Sequence, residues 1–218
     1  SMQCMLALFL AIFLDSASAS PFKVLVFPHR GTYSIPQGRE SVVSKVKVTS
    51  DELCHQYLAQ LNAKQEWEKV GDLIDSQNTF LLSSSSLQKK MKTIANPTNA
   101  FYYECTSPFK VHRDANLKAY AYAGNFVVKI DSNNPNKMIQ IINIVDSEKY
   151  IQGVVPSEVG SGWPLEALKA QAVAARTFAW WTVLNEKKND LGYDLNDTVE
   201  YQVYLGITNE TLATNDAV

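Results

Sequence analysis

Alternating apolar and polar positions predict strands at five places in the chain. The runs 22–27, 41–49, 117–123, 126–130 and 138–145 are rich in β-branched or aromatic residues and are bounded by Pro, Gly or Asn. The last three follow one another with turn signals between them, which is typical of an antiparallel meander. The region 51–74 instead spaces its apolar residues at near-helical intervals and predicts a helix.

A second helix is predicted after Pro164, where the chain becomes unusually rich in alanine. Proline suits the first turn of a helix, and Ser161 or Gly162 can cap it. Small apolar residues recur every three or four positions and define one face of this helix: Leu165, Leu168, Ala172, Ala175 and Ala179. The predicted fold class is therefore α+β, an antiparallel sheet packed with an Ala-rich helix, plus a less defined N-terminal α/β region.

Composition limits the function classes. The chain has 218 residues, 46% hydrophobic and 19% charged, with a formal net charge of −2. This composition is typical of globular proteins. The small net charge gives no electrostatic reason to expect nucleic acid as a partner.

The N-terminus predicts export. Residues 5–14 are continuously apolar and precede Ala17-Ser18-Ala19, so residues 1–19 read as a signal peptide cleaved after Ala19. A buried N-terminal segment is the alternative, because no Lys or Arg precedes the apolar run. Export places the protein in the periplasmic or extracytoplasmic cell envelope. There Cys54 and Cys105 can form one disulfide, although two buried thiols are an equal alternative.

One long stretch resembles a known family. The runs 150–158 (Tyr-Ile-Gln-Gly-Val-Val-Pro-Ser-Glu) and 163–177 (Trp-Pro-Leu-Glu-Ala-Leu-Lys-Ala-Gln-Ala-Val-Ala-Ala-Arg-Thr) look like the signature of the stage II sporulation protein D and amidase-enhancer domain family. The later runs 192–195 and 202–204 fit the same pattern. The resemblance covers roughly residues 117–218, and it divides the chain into a region of unknown role at 20–115 and a partial catalytic domain at 116–218.

The resemblance implies a lytic transglycosylase that cleaves the β-1,4 bond between N-acetylmuramic acid and N-acetylglucosamine and leaves 1,6-anhydro ends. Glu158 aligns with the family's essential acid. One carboxyl group suffices for this reaction, because it protonates the departing oxygen and then accepts the proton of the attacking C6 hydroxyl. Burial beside Trp163 and Val155 would favour the neutral acid. Peptidoglycan glycan strands, stripped of stem peptides, are the implied substrate.

Four further residues are candidate substrate contacts by their position in the motif: Lys169, Arg176, Gln202 and Tyr204. Lys169 and Arg176 share a helix face. Arg176 can bind a muramyl carboxylate, or it can form a structural ion pair. Gln202 and Tyr204 can contact glycan, with packing as an even alternative.

Two departures from the family pattern matter. Where some members carry zinc-binding Cys, His and Cys, this chain has Asn196, Glu200 and Tyr201, so we predict no metal and no cofactor. The family domain also continues beyond the point that corresponds to Val218, so we expect a wall of the cleft to be missing and activity to be affected. A second acid at Asp194 or Asp197 would indicate hydrolysis, but we favour backbone capping for both.

Two other functions stay open. One is a non-catalytic amidase enhancer that binds glycan or a cell-wall amidase. The other is a scaffold protein with an incomplete domain.

Overall fold

The computed structural model describes residues 21–26, 45–94, 98–112, 119–130, 139–185, 191–198 and 201–218. The predicted signal peptide at 1–19 lies outside these residues. The strands, in chain order, are β1 Phe22–Val26, β2 Lys45–Leu61, β3 Trp67–Ser83, β4 Ala100–Cys105, β5 Phe109–His112, β6 Tyr120–Tyr122, β7 Asn125–Ile130, β8 Ile139–Val145 and β9 Leu195–Asn196. The helices are α1 Ser84–Met91, α2 Ser147–Glu158, α3 Leu165–Asn185 and α4 Leu212–Asp216, with a 3₁₀ turn at Gly206–Asn209.

All the described strands join one sheet, in the order β6-β5-β2-β4-β7-β8-β1-β9. Strand β3 lies outside this order and pairs with β2. Every pairing is antiparallel except that of β1 with β9. The α+β class predicted from the sequence is confirmed. Strands from before and after residue 116 pair side by side, for example β4 with β7 and β1 with β8.

The helix predicted at 51–74 is wrong, because this region forms the hairpin of β2 and β3. Its turn is closed by Asn62, whose side-chain oxygen accepts hydrogen bonds from the amides of Lys64 (2.9 Å) and Glu66 (3.0 Å). The alternation of apolar and polar residues that is typical of a strand is interrupted in β2, because polar Ser50 and Gln56 occupy positions that face the core. Each is satisfied there, Ser50 by the Ser107 hydroxyl at 2.8 Å and Gln56 by the Tyr103 hydroxyl at 2.7 Å.

The meander predicted for 117–145 is half correct. β7 and β8 pair over their whole length, from Asn125–Ile144 to Ile130–Ile139. β6, however, pairs with β5 and not with β7. Gly124 separates β6 from β7 with a φ of +82°, and a Cβ there would lie 2.3 Å from the carbonyl oxygen of Ile144, so only glycine fits.

Cys54 and Cys105 form a disulfide between directly paired positions of β2 and β4, with Cα atoms 4.2 Å apart. This settles the alternative that the sequence left open. Two aromatic residues of β4 belong to the core, since Phe101 and Tyr103 are fully buried.

The Ala-rich helix packs on the sheet as predicted. Leu168, Ala172, Ala175 and Ala179 are buried, whereas Leu165, in the first turn, is exposed. The carbonyl oxygen of Pro164 accepts the amides of Ala167 (2.9 Å) and Leu168 (3.1 Å), so the helix starts directly after Pro164, at Leu165, and not after a Ser161 or Gly162 cap.

Candidate active site

Helix α2, which the sequence did not predict, carries Glu158 at its C-terminal end. Asp146 caps the helix by accepting the amides of Glu148 (2.9 Å) and Lys149 (3.2 Å). Beyond Glu158, the amide of Val159 donates to the carbonyl of Val155 at 3.2 Å, and Gly160 turns the chain away with a φ of +74°. The buried face of the helix therefore fixes the backbone of Glu158, while its side chain is exposed.

The exposed side chain corrects the expectation that Glu158 is buried beside Trp163 and Val155. Val155 is in the core, but the Trp163 side chain is 56% exposed. Gly160 and Gly162 have no atoms within 4 Å of where a Cβ would stand, so the turn between α2 and α3 is open. The candidate acid and an exposed indole thus lie on the same open turn.

A backbone amide holds the Glu158 carboxylate. The N–H of Val203 donates to Glu158 Oε1 at 2.5 Å. No side-chain signature accompanies a backbone donor, so sequence reasoning could not find this contact. Val203 lies in the segment 201–205, outside any helix or strand, where half-buried and buried residues alternate.

Gln202 and Tyr204 are the buried residues of the segment 201–205, at 6% and 1% exposure. The Gln202 amide accepts from the Tyr150 hydroxyl and donates to the carbonyl of Ala175, each at 3.3 Å. The Tyr204 hydroxyl donates to Asn143 Oδ1 at 2.9 Å. Packing, one of the two roles that the sequence left open, is thus what the structure describes for both; glycan contact stays a prediction.

Tyr150 belongs to this buried network, and the charge of the candidate acid contributes to the shift of its pKa. Burial is the main cause that raises the pKa of Tyr150, followed by the negative charges of Asp197 and then Glu158. The ring of Tyr150 lies 4.8 Å from that of Tyr204, centre to centre. Sequence reasoning passed over Tyr150 and also Asn143, although an asparagine within the apolar strand β8 was a visible signal.

Arg176 and Lys169 are both paired within the protein. Arg176 makes a two-pronged ion pair with Glu148, at 3.0 Å from Nε and 2.6 Å from Nη2, and donates to the carbonyl of Val218 at 2.9 Å. The hydrogen bond to Glu148 is the main cause that raises the pKa of Arg176. Lys169 pairs with Glu166 one turn away at 2.8 Å. The structural ion pair foreseen as an alternative for Arg176 is present.

Asp194 and Asp197 do not face solvent. Asp194 accepts the amide of Lys23 at 3.1 Å and forms a buried ion pair with its ammonium group at 3.2 Å. Asp194 thus binds a backbone amide of the distant strand β1, whereas the capping role favoured from the sequence concerned its own turn. Asp197 is 1% exposed, so neither acid stands at the surface as Glu158 does.

Comparison with known proteins agrees with this arrangement. Residues 135–218 match the family model described as Stage II sporulation protein. These residues are therefore similar to the stage II sporulation protein D family. The matched region contains α2, Glu158, α3 and the segment 201–205, and it starts later than the resemblance at 117 indicated. The family is associated with the bacterial cell wall.

Two curated relatives match parts of the chain. An uncharacterized protein of Brachyspira hyodysenteriae is 46% identical over 71 residues, which is 33% of this chain and 19% of the relative. A protein of Bacillus subtilis named Amidase enhancer is 43% identical over 56 residues, which is 26% of this chain and 7% of the relative. The chain therefore spans less than a fifth of either relative.

Two further features of the described residues concern metal binding and membranes. No group of three His, Cys, Asp or Glu side chains among them is arranged to hold a metal ion. None of their helices is both long enough and apolar enough to cross a membrane.

Proposed function

We propose that this protein is an exported lytic transglycosylase of peptidoglycan, with Glu158 as its general acid and base. The observation that carries the proposal is an exposed carboxylate fixed at the end of α2 by the Val203 amide, inside the segment that is similar to the stage II sporulation protein D family. Within this proposal, residues 116–218 are the catalytic unit, and the role of residues 20–115 stays open.

The proposed reaction needs one carboxyl group. Neutral Glu158 gives its proton to the glycosidic oxygen as the bond between that oxygen and muramyl C1 breaks. The C6 hydroxyl oxygen of the same sugar then bonds to C1, and its proton passes to the Glu158 carboxylate. Atoms balance without water, so no second carboxylate is required to activate one, in contrast to hydrolytic glycosidases. The burial of Asp194 and Asp197 is in keeping with this scheme.

The test compares wild type with Glu158→Gln on peptide-free glycan strands, with the products identified by mass spectrometry. We expect anhydro-ended fragments from wild type and a loss of at least a hundredfold in rate with Glu158→Gln. Glu166→Gln is the matched control, because Glu166 is another exposed carboxylate, paired with Lys169 on α3. Equal rates for wild type and Glu158→Gln would refute the role of Glu158.

A non-catalytic amidase enhancer is the second candidate, favoured by the name of the Bacillus subtilis relative. In that case the partners are glycan strands or a cell-wall amidase, and glycan strands stay intact with every variant. Adding the protein would then raise the rate at which a purified cell-wall amidase releases stem peptides, and Glu158→Gln would keep this effect.

A further inference from the structure

The segment 201–205 is anchored on both sides of the amide that binds the candidate acid. Gln202 bridges two helices, because it accepts from Tyr150 of α2 and donates to the Ala175 carbonyl of α3. Tyr204 bonds to Asn143 of β8. Val203 stands between these anchors, so three separate elements of the fold determine where its N–H points.

The anchors are rigid. Tyr204 is fully buried and packs against α2 at Gly153, where an added Cβ would lie 2.7 Å from the tyrosine ring. Asn143, its partner, is itself fixed, since its amide donates to the carbonyls of Ala123 (2.8 Å) and Asn125 (3.1 Å). The Tyr204 hydroxyl therefore meets a preorganised acceptor.

The donor distinguishes the two oxygens of the acid. Glu158 is the last residue of α2, and an N–H from outside the helix is aimed at its Oε1. A hydrogen bond of this kind fixes the orientation of the carboxyl group. Among the described residues Oε1 receives the Val203 N–H, and no hydrogen bond to Oε2 is present.

We propose that Gln202 and Tyr204 are positioning residues that hold the Val203 N–H on Glu158 Oε1 and so leave Oε2 to carry the proton. This inference rests on the proposed function for its catalytic consequence. It gives the two residues a role that requires no contact with glycan, in place of the substrate contacts expected from the sequence.

The first test measures the hydrogen bond and is independent of activity. The amide resonance of Val203 is followed in isotope-labelled protein while pH is varied through the ionisation of Glu158. We expect it to shift in wild type, to stay constant in Glu158→Gln, and to lose at least half of its shift in Gln202→Ala and Tyr204→Phe. Tyr103→Phe is the matched control, because it also removes a buried hydroxyl with a hydrogen bond, far along the chain from Glu158. A shift as large as that of wild type in both Gln202→Ala and Tyr204→Phe, or no shift in wild type, would overturn the inference.

The second test measures catalysis. Tyr204→Phe and Gln202→Ala should lower kcat on glycan at least tenfold with KM within twofold, since a small displacement of a catalytic group costs rate more than binding. A rise in KM with constant kcat would overturn the positioning role in favour of substrate contact. If Gln202→Ala does not fold, Tyr150→Phe replaces it, because it removes only the hydroxyl that donates to Gln202. Inactive wild type with a normal Val203 shift would refute the proposed function and leave the hydrogen-bond geometry supported.

Discussion

Gly153 is the point where the packing behind the site is tightest, and Gly153→Ala tests it directly. A Cβ at this position would lie 2.6 Å from the Gly206 carbonyl oxygen and 2.7 Å from the Tyr204 ring. Neither neighbour can move away to accommodate the added methyl group. Gly206 has a φ of +61°, and a Cβ added there would lie 2.0 Å from the Ala121 carbonyl oxygen, while Tyr204 is fully buried.

Two opposed effects decide whether Gly153→Ala raises or lowers the free energy of unfolding. Alanine is favoured over glycine inside a helix by about 1 kcal/mol. Overpacking a rigid site costs about 1–3 kcal/mol. Because both contacts of Gly153 are well below normal van der Waals distances, we expect the second effect to be larger, with a net loss of about 1–2 kcal/mol in the free energy of unfolding.

Urea denaturation measures this loss, with Gly162→Ala as the control. Gly162 has ordinary φ and nothing within 4 Å of a Cβ, so its substitution should change the free energy of unfolding by less than about 0.5 kcal/mol. A Gly153→Ala protein that is as stable as wild type, or more stable, would refute the packing argument. We also expect Gly153→Ala to lower kcat, because Tyr204 moves together with Val203.

Three further predictions concern the disulfide, the buried tyrosines and the exposed indole. Replacing Cys54 and Cys105 together by alanine should cost about 4 kcal/mol, since the bond closes a loop with a sequence separation of 51; urea midpoints under non-reducing conditions measure this, and no change would contradict the expectation. Burial raises the pKa of the fully buried hydroxyls of Tyr103, Tyr150 and Tyr204. Their contribution to stability is complete below the unfolded pKa of about 10 and decreases above it by about 1.4 kcal/mol per pH unit for each, so urea midpoints should fall steeply between pH 10 and 11. Equal midpoints at pH 9 and 11 would contradict this. Trp163→Ala should raise KM for glycan about five- to tenfold without loss of stability, because the 56% exposed ring can stack on a sugar; an equal effect of Trp181→Ala, also exposed and near the other end of α3, would argue against a local site.

The sequence was informative where one physical effect dominated. The apolar strands β7 and β8 and the buried face of α3 follow from simple periodicity. The sequence pattern did not predict β2 and β3. Ser50 and Gln56 are polar residues that face the core, and their partners, Ser107 and Tyr103, are distant in sequence. No local pattern reveals such a pair.

The same limit applies to the candidate site. Glu158 could be singled out through the family motif, but its exposure, its place at a helix end and its bond to Val203 depend on tertiary structure. Gln202 and Tyr204 were selected through the motif, whereas their burial and their partners Ala175 and Asn143 could not be predicted from spacing.

The pairing of β1 has a consequence for how the protein folds. This strand lies between β8 and β9, and its Lys23 bonds to Asp194, 171 residues later in the chain. Contacts between such distant residues must overcome a large loop-closure entropy, so they slow folding. Both edges of β1 must stay unpaired until β8 and β9 have been synthesised, and an unpaired edge invites association with other chains. A chain that has emerged only as far as β7 is therefore exposed to aggregation, and a chaperone that binds extended apolar segments would act most usefully at that stage.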